Sequence, residues 1–327
     1  MKAQTETTMQ KDQDSPENFQ SDVLNGLRHF PKKLFSKYFY DEKGDKLFQQ
    51  IMNMPEYYLT GCELDIFKNK TQELAESIIA NDEPFDLIEL GAGDATKSSY
   101  LLKYLVGRGA DFTYMPIDIS GNILSVLQHK FKAELPTLEV VTLQGDYFDM
   151  LEKATSISEK RKVVLFLGGN IGNMELDESV HFCRELRRKL HSGDSLIIGF
   201  DLKKNPHVIL NAYNDAAGIT ARFNLNLLDR INRQLNADFD LKKFQHYQTY
   251  DPISGACRSF LISLEEQQVT ISNNRVKFEE NEVIAMEISQ KFSETDIQSL
   301  AAKSGFYIIN EIKDSKNWFI DSVWQVI

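Results

Sequence analysis

The stretch Phe85-Asp86-Leu87-Ile88-Glu89-Leu90-Gly91-Ala92-Gly93-Asp94 decides the fold. A short apolar run reads as a strand, and two glycines one residue apart let the backbone turn sharply and approach a ligand without a Cβ collision. The helix that follows, near residues 95–97, offers free N–H groups and a positive dipole end. Outward from this turn the chain alternates short apolar runs at 85–90, 112–117, 138–143, 163–167 and 195–200 with helical patterns at 97–105, 123–131 and 179–190. Such β-α-β repeats fold as a parallel sheet with helices on both faces, and the unbroken run Val163-Val164-Leu165-Phe166-Leu167 predicts a central strand buried on both sides. Two closing runs, 306–312 and 318–327, read as a hairpin-like strand pair.

The acids at the strand ends indicate the ligand. A dinucleotide site wants a third glycine where Thr96 stands. Glu89 before the first glycine instead matches the class I methyltransferase pattern, in which the loop runs along methionine and ribose. Asp118 ends the second strand, where a carboxylate accepts from vicinal ribose hydroxyls. After the third strand come Gly145-Asp146-Tyr147, an acid for the adenine amino group and an aromatic cover for its ring. Each has a plainer reading: Asp118 as a helix cap before Ser120, Asp146 as a turn former, Lys97 as a solvated first-turn lysine. Together, at the ends of three successive strands, they favour an adenosyl ligand. The expected fold class is α/β, a class I methyltransferase doubly wound sheet with an inserted α+β substrate-binding domain.

The domain organisation follows from where the alternation breaks. Residues 1–20 are polar and read as a disordered tail; 21–60 are dense in aromatic residues and read as short helices packing with the substrate domain. A helix is expected over 63–80. The nucleotide-binding domain is expected at 61–202 and 292–327, interrupted by an insertion at 203–291 with a long helical region and strands near 244–250, 258–264, 268–271 and 283–289.

Composition narrows the function. The chain has 327 residues, a formal charge of −11, 42% hydrophobic and 26% charged residues. The negative balance repels phosphate backbones and disfavours nucleic acid as a partner. Three scattered cysteines and six scattered histidines offer neither a disulfide framework nor a metal site. The absence of a long apolar run argues against a membrane partner, and the cytoplasm and a monomeric state are the expectation.

Several strings then carry a resemblance: Lys37-Tyr38-Phe39-Tyr40-Asp41, Pro55-Glu56-Tyr57-Tyr58, Phe166-Leu167-Gly168-Gly169-Asn170-Ile171-Gly172-Asn173, Ala212-Tyr213-Asn214-Asp215 and Glu287-Ile288-Ser289-Gln290-Lys291-Phe292. In these the sequence resembles the S-adenosylmethionine-dependent histidine Nα-methyltransferases of ergothioneine biosynthesis, over about residues 28–327. The resemblance implies S-adenosylmethionine contacts at Gly91, Lys97, Asp118, Asp146 and Tyr147. It implies that Asn173 and Tyr213 hold the amino and carboxylate end of L-histidine, that Tyr57 is a further pocket contact, and that Tyr40 joins Asn173 and Tyr213 in orienting the amine. It also implies that Glu287 and Ser289 read the imidazole, and that methylation proceeds up to the trimethylated betaine hercynine. One departure stands out: where family members carry a pocket methionine, Ser259 aligns, leaving room that alters ring preference.

The residues themselves leave plainer readings open. In a strand, 287 and 289 point to one side, opposite Ile284, Met286 and Ile288, as they also would in a strand whose polar side faces water. Tyr57 and Tyr213 are equally ordinary as packing aromatics, and Asn173 as a loop former. The alternatives are an Nα-methyltransferase for another aromatic amino acid (tyrosine or a tryptophan derivative), a nicotinamide-dependent oxidoreductase, and a non-catalytic S-adenosylmethionine sensor.

Overall fold

The computed structural model describes residues 16–79 and 83–326; residues 1–15, most of the expected tail, lie outside the described residues. Two compact units divide the chain. The larger comprises Pro55–Ile209, Tyr250–Cys257 and the residues from Ile288 onward; the smaller comprises the described residues up to Met54, Leu210–Thr249 and Arg258–Glu287.

In chain order the strands are β1 (Lys32–Lys33), β2 (Phe85–Leu90), β3 (Phe112–Asp118), β4 (Glu139–Val140), β5 (Leu143–Gln144), β6 (Arg161–Phe166) and β7 (Ser195–Asp201). There follow β8 (Phe244–Tyr250), β9 (Ala256–Ser263), β10 (Gln267–Ile271), β11 (Asn274–Phe278), β12 (Val283–Gln290), β13 (Phe306–Lys313) and β14 (Phe319–Val326). The larger unit is built on one sheet in the order β13-β14-β7-β6-β2-β3-β4, with β5 also on β3. β7, β6, β2 and β3 run parallel, and β14 lies antiparallel between β13 and β7. Every residue of β2 and β7 is buried, as continuous apolar runs covered on both faces require. From β2 the chain crosses through helix Ser98–Gly107 to β3 on one flank, while β6 occupies the other. This reversal is the topological switch point, where loops splay apart at the carboxyl ends of the strands and open a ligand crevice.

Local sequence explains the helix boundaries. Ser120 accepts from the Ile123 N–H at 3.3 Å to start helix Gly121–Glu134, and Asp146 accepts from the Phe148 N–H at 2.9 Å to start helix Tyr147–Ile157. The helix expected over 63–80 is two, Tyr58–Asn69 and Thr71–Ile78. Lys70 leaves the helical region, and the Thr71 hydroxyl donates to the Phe67 carbonyl, a local bond that competes with helix continuation. The strand expected over 138–143 is split into β4 and β5, both paired with β3 at the edge of the sheet, where Glu139 and Gln144 are exposed.

In the smaller unit, helix Glu42–Met52 is capped by Asp41, which accepts from the Gly44 N–H at 2.7 Å and pairs with Arg233 at 2.6 Å. Phe39, Tyr40 and Phe48 pack around Phe223 of helix Ile219–Leu235, with ring centroids 4.9–5.9 Å apart. A four-stranded sheet runs β1-β12-β9-β8, and β10 pairs with β11. Residues 16–20, placed in the tail by their polarity, form the start of helix Pro16–Arg28, in which Phe19 is buried and its ring lies 4.6 Å from that of Tyr38. The span 203–291 expected as one insertion is divided: 203–209, 250–257 and 288–291 group with the larger unit, because backbone bonds such as Lys203 N–H to the Phe292 carbonyl at 2.8 Å tie them to the end of β7.

Trp324 is fully buried in the sheet core, its indole N–H donating to the Ser322 hydroxyl at 2.8 Å. Trp324→Ala is expected to lower stability by about 3–5 kcal/mol, read as a lower urea midpoint in equilibrium unfolding.

Candidate functional site

The turn after β2 gathers most of the residues singled out for the cofactor. Gly91 has φ +70°, and a Cβ there would lie 2.6 Å from the Tyr147 hydroxyl, so only glycine lets the turn and that phenol approach so closely. The Asp118 carboxylate, at the end of β3, accepts from the Gly93 N–H at 3.3 Å and from the Ser120 N–H at 2.9 Å. Burial first, and then the nearby charges of Asp118 and Asp146, raise the pKa of the Tyr147 phenol, which keeps it a neutral hydroxyl. Gly91, Asp118, Asp146 and Tyr147 thus converge at the carboxyl edge of the sheet. Asp146 is exposed and serves as the helix cap that its turn sequence allows.

Lys97 stands at the N-terminus of the helix after the glycine turn, but it is not a solvated lysine. It pairs with Glu63, which is 1% exposed. Burial opposes its charge, yet Glu63, Asp321 and Glu89 more than offset this and raise its pKa. The other oxygen of Glu63 accepts from the Gly168 N–H at 2.7 Å, so one carboxylate joins the turn after β2 to the loop after β6. Asp321 of β14 is fully buried, and burial together with the Glu63 charge holds its carboxyl well above the usual range. Sequence reasoning missed Glu63 and Asp321. A lone acid in an amphipathic helix, or within a closing strand, carries no signal of its own.

The loop after β6 ends in the 3-10 turn Asn170–Asn173, with Asn173 exposed. Gly172 lets it approach strand β12: a Cβ at 172 would lie 2.8 Å from the Gln290 carbonyl oxygen. Asn173 is thereby close in space to the strand end that carries Ser289. Tyr57, partly buried, precedes helix Tyr58–Asn69. Its neighbour Tyr58 donates to Asp201 at 2.8 Å, and Lys291 pairs with the same Asp201 oxygen at 2.7 Å.

In the smaller unit, Tyr40 and Glu287 interact. Tyr40 is 44% exposed as a residue, yet burial of its hydroxyl and then the Glu287 carboxylate raise its pKa well above that of an ordinary phenol. Glu287 is partly buried on β12, and Tyr213, at the end of helix Pro206–Tyr213, is 8% exposed. Ser259 is buried and donates to Gln248 at 2.6 Å, with the His246 ring nitrogen at 3.5 Å. The hydroxyl is satisfied inside the small sheet.

Glu89 is fully buried, and its Oε2 accepts from the Tyr114 hydroxyl at 2.5 Å. Burial raises its pKa to about 7, with Tyr114 and Lys97 only partly opposing. A carboxyl whose folded pKa exceeds its unfolded value stabilises the fold below the unfolded pKa, and that contribution is lost as pH rises through the folded one. Glu89→Gln, measured against the parent protein by chemical denaturation, is therefore expected to gain relative stability between pH 4.5 and 8, by up to about 3 kcal/mol, and to level off above.

Among the described residues, no helix is long and apolar enough to cross a membrane. The sequence matches the family described as "Histidine-specific methyltransferase, SAM-dependent" over residues 19–326. It is 33% identical to the histidine N-alpha-methyltransferase of Mycobacterium tuberculosis, with 88% of each chain covered. It is 34% identical to the protein of the same name from Mycolicibacterium smegmatis, covering 88% of this chain and 89% of that one. Ergothioneine biosynthesis protein 1 of Schizosaccharomyces pombe, a longer protein, is 28% identical over 86% of this chain and 37% of its own. With the glycine turn, the strand-end acids and the reversed strand order, this match replaces the oxidoreductase alternative: the chain belongs to the S-adenosylmethionine-dependent histidine-specific methyltransferase family.

Proposed function

We propose that this protein methylates the α-amino group of L-histidine, up to the trimethylated betaine hercynine, with S-adenosylmethionine as donor, as a step of ergothioneine biosynthesis. The observation that carries the reading is the convergence of Gly91, Asp118 and Tyr147 at the switch point, in a chain of this family. These residues fit an adenosyl group: a turn in which Gly91 keeps a Cβ out of the way of the Tyr147 hydroxyl, a carboxylate for ribose hydroxyls, and a neutral phenol ring beside it. Lys97 is read as the cation for the methionyl carboxylate and Asp146 as the acceptor for the adenine amino group. Bound S-adenosylmethionine supplies a sulfonium methyl, whose carbon bonds to the amine nitrogen as the S–C electron pair returns to sulfur.

The protein's own task is then positioning, which supplies up to about 7–11 kcal/mol when reacting groups are held close and aligned. An α-ammonium has no lone pair, so the substrate sheds a proton to water before each transfer. Tyr40 is read as an orienting hydroxyl rather than a base: burial and Glu287 keep its phenol protonated. Asn173 and Tyr213 are read as the groups that hold the amino and carboxylate end, with Tyr57 as a further contact. None of these is a fixed anion, so the site tolerates a nitrogen that grows by successive methyls.

Glu287 and Ser289 lie two residues apart on β12 and so share one side of the strand. An acceptor and a hydroxyl suit the N–H and the lone pair of neutral imidazole, whereas an indole or a phenol has one polar group and leaves the second partner unmet. This favours histidine over the other aromatic amino acids. A single 37.5-kDa chain in the cytoplasm is the proposed working form, and light scattering at that mass checks the first half of it.

The test is incubation of the protein with labelled S-adenosylmethionine and each common amino acid, read by mass spectrometry. Histidine gaining one to three methyl groups is expected; turnover confined to tyrosine or tryptophan rejects the histidine reading, and cofactor binding without any turnover points to a sensor. In calorimetric titrations, Asp118→Ala is expected to weaken S-adenosylmethionine by about 1.5–3 kcal/mol, as loss of a charged hydrogen-bond partner does. Glu287→Ala is expected to weaken histidine by a similar amount while leaving S-adenosylmethionine nearly unchanged. Unaltered histidine affinity in that variant removes Glu287 from the site.

A further inference from the structure

The proposed reaction gives no role to Asp321, the buried acid of β14. It is 0% exposed, and among the described residues neither of its oxygens has a hydrogen-bond partner. In the sheet it pairs with Ile312 of β13 on one side and with Gly199 of β7 on the other. A Cβ at Gly199 would lie 2.5 Å from Glu63 Oε1, so the Glu63 carboxylate fills the space that a side chain at 199 would take. Charged groups reach Asp321 from two helices. Helix Tyr58–Asn69 brings Glu63, and the start of helix Ser98–Gly107 brings Lys97, which also feels Glu89 of β2. Asp201, two residues beyond Gly199 on β7, is occupied by Tyr58, Lys204 and Lys291, and the β13 partner Ile312 is apolar.

Burial and the Glu63 charge both work against an ionised Asp321, and Lys97 only partly opposes them. A buried carboxylate with no donor is costly, so the acid holds its proton. Glu63 and Lys97 are then a matched pair. The Lys97 side chain is 26% exposed, and an ammonium has three donors, so one carboxylate behind it leaves a donor for a second in front. Ionisation of Asp321 changes that balance: two buried carboxylates share one lysine, and a further anion meets net repulsion. We infer, on the reading of Lys97 as the cation for the methionyl carboxylate, that Asp321 is a positioning residue for the cofactor: the charge on its carboxyl decides whether the Lys97 ammonium is available to that group. Glu63 holds the lysine, and Asp321 acts through it from one step further back.

The full-length protein tests this with a ligand that carries a single charge: S-adenosylhomocysteine with its α-amino group replaced by hydrogen. That compound keeps the carboxylate and has neither ammonium nor sulfonium. Its affinity for the parent protein and for Asp321→Asn is measured by calorimetry at about pH 6.5 and about pH 9.5. The amide is neutral at both, so the affinity of the variant relative to the parent is expected to rise about fivefold between them, the low end of coupling between two sites. Glu89 and the other titrating groups are common to both proteins and leave this ratio. A ratio that stays the same overturns the inference. Methylthioadenosine, which has the nucleoside and the thioether but no carboxylate, is expected to show no such rise; an equal rise with it means that Asp321 acts on the shape of the crevice, and the inference fails. If Asp321→Asn does not fold, Asp321→Ser, also neutral, takes its place under the same criteria. A parent protein that at about pH 6.5 binds the carboxylate ligand no better than methylthioadenosine defeats the reading of Lys97 itself, whereas carboxylate-dependent binding with an unchanging ratio defeats only the role of Asp321.

Discussion

The central strands of the larger unit are covered on both faces, and the placement of its chemistry follows from that constraint. With every residue of β2 and β7 buried, a polar side chain inside the sheet is costly unless it is paired. Polar groups not paired within the sheet are therefore left to the carboxyl ends of the strands, where loops leave in opposite directions from the switch point between β2 and β6. Gly91, Asp118 and Tyr147 gather there although long stretches of chain separate them. The same burial raises the pKa of the Tyr147 phenol and lifts that of the Glu89 carboxyl to about 7.

Just behind this edge the unit pairs two of its buried carboxylates with lysines. Glu63 bridges Lys97 and the Gly168 N–H, joining the loops after β2 and β6. Asp201 gathers Tyr58, Lys204 and Lys291 at the end of β7. Breaking a buried pair leaves an uncompensated charge, which costs far more than the pair itself contributes. Such pairs are thus better understood as devices that hold loops and hydroxyls in one arrangement than as sources of net stability. They hold residues of the Pro55–Tyr58 and Glu287–Phe292 strings, which gives those strings a physical reason beyond contact with a substrate.

The smaller unit contributes a different electrostatic element. Tyr40 and Glu287 share an environment in which the phenol stays protonated. Ser259, which sequence alignment alone puts in a pocket-lining role, is bound to Gln248 within the small sheet.

The amino-acid sequence by itself determined the parallel sheet, its closing antiparallel pair, the glycine turn and the strand-end acids, because these depend on local periodicity and on glycine where the backbone turns left-handed. The strings around Tyr57, Asn173 and Glu287 also made the family legible. Only the tertiary structure decided how buried groups are partnered: that Lys97 meets Glu63, that Glu89 has its pKa lifted to about 7, that Asp201 gathers two lysines and a tyrosine, and that Lys291 donates to Ser289. It also decided where the chain divides, since backbone bonds to β7 return residues 250–257 and 288–291 to the larger unit. The physical reason is range. Periodicity and turn chemistry act between near neighbours in the chain, whereas desolvation and ion pairing depend on what long-range folding brings within a few ångströms.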